Sequence, residues 1–189
     1  MIAAILAAYV ISTNAPAAEV MAHCRAIIPA DAELSGRVIL RNRRGIPQAE
    51  HQYTLVRKAG ETTLTVDGQV QPPEPGRAIM GTDVTWSDLS LEYLWWDDFA
   101  FDQEETASSV HGFNCVVLRL TKGERTVRIW VERKNGAVVQ AEEIAGGKTV
   151  RTLWGRRIKK FDDRWVANEV EVETAGSGHR TKITVEEVK

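Results

Sequence analysis

The sequence predicts a mainly β protein with short α elements, in which one antiparallel sheet curves around a helical plug. Three observations lead there. About eight to ten stretches alternate apolar and polar residues and are separated by short turn signals. One stretch near the N-terminus and one in the middle break that pattern with helical spacing. A sheet of this size with one polar face must curve round its apolar side or pack on a second sheet. Curvature is the more economical solution, because the two helical pieces alone offer apolar faces to fill it.

Taken in order, residues 18–28 place Val20, Cys24, Ile27 and Ile28 at three- and four-residue spacing, as a short helix with one buried face requires. Pro29 ends it, lacking an amide and clashing with the preceding turn. Residues 34–43, 52–58 and 62–66 then alternate as strands, setting Val38 with Leu40, Tyr53 with Leu55, and Leu64 with Val66. Reversals fall at Arg44-Gly45 and Ala59-Gly60, so these strands form a meander. Asp67-Gly68 opens a turn region, and Pro72, Pro73 and Pro75 deny the chain amides for a central sheet. Thr85 or Ser87 is the cap of a brief helix running through Leu89 to Trp96, with Leu91, Leu94 and Trp95 on its apolar face. Strands resume at 112–120, 126–132, 138–144, 150–153, 165–173 and 180–187, with turns at Asn135-Gly136, Gly146-Gly147, Asp162-Asp163 and 176–178.

The first eighteen residues carry no charged side chain, and charged, alternating sequence follows at once. Residues 2–11 are too short an apolar run to cross a bilayer, which takes about 20 residues. Ala15-Pro16-Ala17 supplies small residues for a signal peptidase, so residues 1–17 read as an export signal and 18–189 as one domain. Cleavage after Ala18 and a retained N-terminal helix are the alternatives, and the positive charge usual before the apolar run is absent apart from the terminal amine. No later stretch has transmembrane length, so the mature chain carries no integral membrane segment.

The 24 Lys and Arg are nearly balanced by 26 Asp and Glu, a formal net charge of -2 that argues against a dedicated nucleic-acid binder. The basic groups Arg41/Arg43/Arg44 and Arg156/Arg157/Lys159/Lys160 read as solvated strand ends rather than a phosphate patch. An oxidising compartment would permit Cys24 and Cys115 to pair, but nothing brings them together, and two free buried thiols are the simpler expectation. His23 immediately before Cys24 is a poor fit to a lipoprotein anchor signal.

Chemistry leaves few traces. The four histidines lack zinc-site spacing, so no metal is expected. No phosphate loop, dinucleotide fingerprint or GxSxG elbow occurs, and no cofactor or catalytic residue is assigned. Asp83, Asp88, Asp97, Asp98 and Asp102 lie among aromatic residues, where a pair flanking a cleft would hydrolyse sugars. Turn capping explains them more simply. Six Trp and four Phe remain, and beyond ordinary packing they suit a cavity for an acyl chain, where each buried methylene contributes about 0.8 kcal/mol without any polar motif.

Residues 81–89, GTDVTWSDL, resemble the glycine, Ser/Thr, Asp, spacer, aromatic, x, Asp, Leu motif of the LolA-like outer-membrane lipoprotein-sorting group. The order of the later strands is similar, so the resemblance extends over residues 18–188. It implies a strongly curved antiparallel half-barrel covered by helices, a periplasmic location and an apolar cavity for lipid or lipoprotein acyl chains, without covalent catalysis. On the motif, Gly81, Asp83, Trp86, Asp88 and Leu89 would set the structure of a cavity lid. Leu40, Leu55, Trp86, Leu89, Leu118 and Ile129 are the expected ligand-binding residues. The arginine that tunes cargo release in the dedicated carrier has two candidates by strand position, Arg37 and Arg41. Residues 66–77 are shorter than the corresponding part of many relatives. Two functions follow: a periplasmic carrier or sensor of acyl chains, or a non-enzymatic envelope scaffold that holds a protein partner.

Overall fold

The computed structural model describes residues 11, 12, 14–28, 31–161 and 164–189. Its elements are α1 (Ala17–Ala26), β1 (Ala32–Asn42), β2 (Pro47–Lys58), β3 (Glu61–Val66), β4 (Gln69–Gln71), α2 (Trp86–Ser90), a 3-10 turn (Glu92–Trp95), β5 (Asp98–Phe101), β6 (Ala107–Val110), β7 (Phe113–Lys122), β8 (Arg125–Glu132), β9 (Val138–Ala145), β10 (Lys148–Phe161), β11 (Arg164–Thr174) and β12 (His179–Val188).

The strands form one open sheet in the order β4-β3-β2-β1-β12-β11-β10-β9-β8-β7-β5, with β6 beside β5 on the same edge of β7. Nearly every neighbour in space is a neighbour in sequence, as hairpin links require. The exceptions are β5, which pairs with β7 and not with β6, and β1 with β12, antiparallel from Leu34↔Val188 to Asn42↔His179, which splices the two meanders into a single surface. Register shifts fall at Ser35/Gly36 and Leu40/Arg41 in β1, Thr149/Arg151 and Gly155/Arg157 in β10, and Trp130/Val131 in β8. Such bulges increase the local twist, so they bend the sheet round its apolar side.

Val38, Leu55, Leu64, Leu118, Ile129, Val172 and Ile183 line the concave side together with Val20, Met21 and Cys24 of α1 and Val84, Tyr93, Leu94 and Trp96 of the middle segment. Burying each large side chain contributes about 1.5–3 kcal/mol, and this shared core holds helices and sheet together. A second, smaller cluster of Cys115, Val117, Trp130 and Val139 occupies the other face of β7–β9. The two cysteines thus belong to clusters on opposite faces of the sheet, and both are free and buried.

Three strands escaped the sequence reading. β4, β5 and β6 are three or four residues long, too short to display a period. β10 runs far beyond the expected 150–153, because its bulges and Gly155 interrupt the alternation that would have announced it. The basic residues 156–160 therefore lie within a strand rather than at its end, and Arg156 pairs with Glu171 at 2.9 Å. The helix expected to continue to Trp96 stops at Ser90, where Leu91 adopts a left-handed φ of 54°, and resumes as the 3-10 turn. The Asp162-Asp163 turn and residues 1–10 and 13 of the expected leader lie outside the described residues. Of that leader, Ile11 is buried and donates its N–H to the Arg133 carbonyl at 2.7 Å, and Ala15 is also buried.

Candidate functional site

The concave face is crossed by residues 78–96, a segment with little regular structure that is held by polar ties. Met80 and Gly81 both take positive φ, turning the chain so that Ala78 pairs with Thr85. Asp83 reaches β12: its Oδ2 accepts the Thr181 hydroxyl at 3.0 Å and faces His179 Nδ1 at 3.2 Å, while its own N–H donates to Thr181 Oγ1. Asp88 accepts the Thr85 N–H at 2.7 Å, stabilising the first turn of α2, and forms a buried ion pair with Arg151 of β10. Burial pushes the Asp88 carboxyl above the usual range, against the pull of the Arg151 guanidinium.

The other end is gathered by Glu92, whose carboxylate accepts from Ser87 Oγ at 2.6 Å, Trp96 Nε1 at 2.6 Å and Arg125 at 2.7 Å. From α1, Arg25 donates to the carbonyls of Leu94 (2.6 Å) and Trp96 (2.8 Å), satisfying groups that the end of the 3-10 turn leaves open. From β2, Arg57 donates to the Ser90 carbonyl at 2.6 Å. Polar side chains of α1, β2, β8, β10 and β12 therefore fasten the segment to the helix and sheet.

Beneath this cover lies a cavity of about 270 Å³. Ile27 and Ile28 just after α1, β1 and β2 (Leu34, Leu55), the cover (Leu89, Leu91) and β10–β12 (Leu153, Val170, Ile183) contribute its mainly aliphatic wall. Such a space can exchange contacts with a hydrocarbon chain at little directional cost, since dispersion and dehydration impose no fixed geometry. Cys24, also in the wall, donates its thiol to the Gly136 carbonyl at 3.2 Å, and burial pushes its pKa up to about 12, which suits packing and not nucleophilic attack.

Of the residues expected to touch ligand, Leu55 and Leu89 come together in the cavity wall. Leu118 and Ile129 face each other across the β7–β8 ladder and are fully buried in the core. Trp86 packs at the margin of that core, and Leu40 is half-buried on β1. Among the described residues, the wall includes none of these four. Nor does it include Arg37, which pairs with Glu50 and Glu186, or Arg41, which pairs with Glu171. The arginine in the wall is Arg57. Its signal was present: Tyr53, Leu55 and Arg57 share one parity on β2, but a cation at an inward position is a feature periodicity alone does not select.

A family model described as "Uncharacterized protein" matches residues 49–189. The chain belongs to that family. No curated protein matches it. Among solved structures it is similar to a LolA superfamily protein from Nitrosomonas europaea, with a TM-score of 0.70 and 15% identity over 92% of this chain and 93% of that one. A DUF1329 family protein from Desulfovibrio piger gives a TM-score of 0.68 at 14% identity, covering 92% of each chain. An outer membrane lipoprotein-sorting protein domain from Vibrio parahaemolyticus gives 0.68 at 13% identity, covering 90% of each. The family member thus has the LolA-like fold, as the residues 81–89 motif implied. Among its described residues, no helix is long and apolar enough to cross a membrane.

Proposed function

We propose that this family member is a periplasmic carrier or sensor that holds an acyl chain of a lipid or lipoprotein in the cavity between its cover and its concave sheet, without covalent catalysis. The observation that carries the reading is the aliphatic space left between Leu55, Leu89, Val170 and Ile183, where a packed core would have closed it. Residues 1–17 would act as the export signal that delivers the domain to the periplasm, with Gly81, Asp83, Trp86, Asp88 and Leu89 shaping the cover.

Transfer in either direction requires that cargo contacts be exchangeable. Each buried methylene stabilises the complex by about 0.8 kcal/mol, so a long chain would be held too firmly if the cover could not move. The cover is fastened by hydrogen bonds and ion pairs that re-form after opening, a suitable device for a gate. The test is extraction and mass spectrometry of protein purified from its native envelope, with uptake of a fluorescent acyl probe by the delipidated protein. A co-purifying lipid together with saturable uptake is the expected result. Lipid-free protein that also refuses the probe overturns the carrier and leaves the envelope scaffold, a domain that binds a protein partner.

A further inference from the structure

Arg57 is an unusual wall residue for an aliphatic cavity. Its guanidinium has five N–H donors, and among the described residues it has one acceptor, the uncharged Ser90 carbonyl at 2.6 Å. Its Cζ lies 4.8 Å from the ring centroid of Trp95, again an uncharged partner. The other arginines reaching the cover from the sheet are neutralised, Arg125 by Glu92 and Arg151 by Asp88 and Glu143. Asp88 is the one carboxylate in the cavity wall among the described residues, and Arg151 already holds it. Among the described residues Arg57 has no carboxylate partner, and its partial burial works against its charged form.

Its position matters as much as its charge. Arg57 is itself only half-buried, and Trp95, stacked on its guanidinium, is 44% exposed, so the Arg57 end of the cavity meets solvent. Leu55, two residues back on the same face of β2, is 2% exposed. A cation therefore stands at the rim, with the aliphatic interior behind it. A half-desolvated charge without a counterion is unfavourable, and an entering anion would relieve that cost through charge-assisted hydrogen bonds.

Resting on the carrier reading, we propose that Arg57 receives the anionic head, carboxylate or phosphate, of a single-chain amphiphile whose tail fills the cavity past Leu55. At about 270 Å³ the space falls below the ~300–1,000 Å³ common for small-molecule sites, which suits one chain and not several. Selectivity follows from the difference between an ionic head and a neutral one, since the tail contributes equally to both.

The test is titration of the full chain, after delipidation, with dodecanoate, dodecyl phosphate and dodecanol at pH 7, below their aggregation concentrations. The expected result is that at least one of the two anions binds about tenfold or more tighter than the alcohol, as a charged hydrogen bond predicts. Which anion leads identifies the head group. Arg57→Gln should bring all three ligands to the alcohol's affinity, and Arg57→Lys should keep a preference for the anion. Equal binding of anions and alcohol by the native protein overturns the role of Arg57 while leaving the acyl carrier standing. A preference that survives in a folded Arg57→Gln protein also overturns it. Failure of all three ligands to bind removes the carrier reading itself. Should Arg57→Gln not fold, the comparison in the native protein and in Arg57→Lys still decides.

Discussion

Arg151 on β10 and Asp88 in α2, 63 residues apart in sequence, form a buried ion pair that fastens the cover to the sheet. The same guanidinium donates to the Asp83 carbonyl at 2.7 Å and pairs with Glu143 at 3.1 Å. One strand side chain thus holds both aspartates of the GTDVTWSDL segment, one through its backbone and one through its carboxylate.

Removing the cation should leave Asp88 buried and uncompensated. Arg151→Met is expected to cost about 3–5 kcal/mol at pH 7. Burial already raises the Asp88 carboxyl, and loss of Arg151 raises it further. An acid whose folded pKa lies above its unfolded value loses stability as pH rises, so the deficit should be smaller at pH 5 than at pH 7. Urea denaturation at the two values measures it, and an equal deficit would contradict this account.

Glu92 behaves in the opposite sense. Burial would raise its carboxyl, but hydrogen bonds from Ser87, Arg125 and Trp96 outweigh that and hold it below the ordinary glutamate range. Its contribution is present above the unfolded pKa of about 4.3 and is lost as pH falls through the folded value. Glu92→Gln should therefore be less stable than the native protein at pH 7, with the gap closing below about pH 4. Thermal melts across that range would reveal a gap that persists, if the hydrogen bonds were not the cause.

Gly36 sits at the β1 bulge, where an added Cβ would lie 1.8 Å from the Thr184 carbonyl oxygen and 3.2 Å from the Tyr53 ring. Backbone of a paired strand cannot give way as a side chain can. Gly36→Ala should destabilise by more than about 3 kcal/mol, seen as a lower urea midpoint or as insoluble protein. Gly60→Ala, with nothing within 4 Å but a φ of +84°, should cost only about 1 kcal/mol.

Filling the cavity should separate binding from folding. Ala167 lies in its wall on β11, so Ala167→Phe places a ring where hydrocarbon would lie. Uptake of an acyl probe should fall at least tenfold while the melting temperature stays within a few degrees, an order of effect set by a changed volume in an unfilled space. Full uptake by the variant would put the chain elsewhere.

Both thiols should be countable in unreduced protein and slow to react until it is unfolded. Cys24 and Cys115 are buried, with pKa values pushed up to about 12 and about 11 chiefly by burial, so little thiolate forms at pH 7. Titration with a thiol reagent, before and after urea, should show two groups released together. Fewer than two after unfolding would indicate a disulfide.

What could be read in advance followed from local rules. Strict alternation in residues 52–58 and 62–66 set Tyr53 with Leu55 and Leu64 with Val66, and all four share the core. Thr85 before α2 and Asp67-Gly68 between β3 and β4 mark boundaries because cap and turn preferences act within a few residues. Parity could not separate Leu55 from Leu118. Both point inward, yet one borders the open space and the other is packed solid, a difference that depends on how far the cover stands from each strand.

By itself the sequence determined a curved, mainly β domain, the motif that ties it to LolA-like proteins, and which side of most strands is apolar, because these follow from periods of two and from turn chemistry. Only the tertiary structure decided that a cavity survives, that Arg151 and Asp88 hold its cover, and that Arg57 stands at its rim. Those depend on bulges that set the curvature and on side chains meeting from distant strands, and separations of that kind leave no local pattern in the chain.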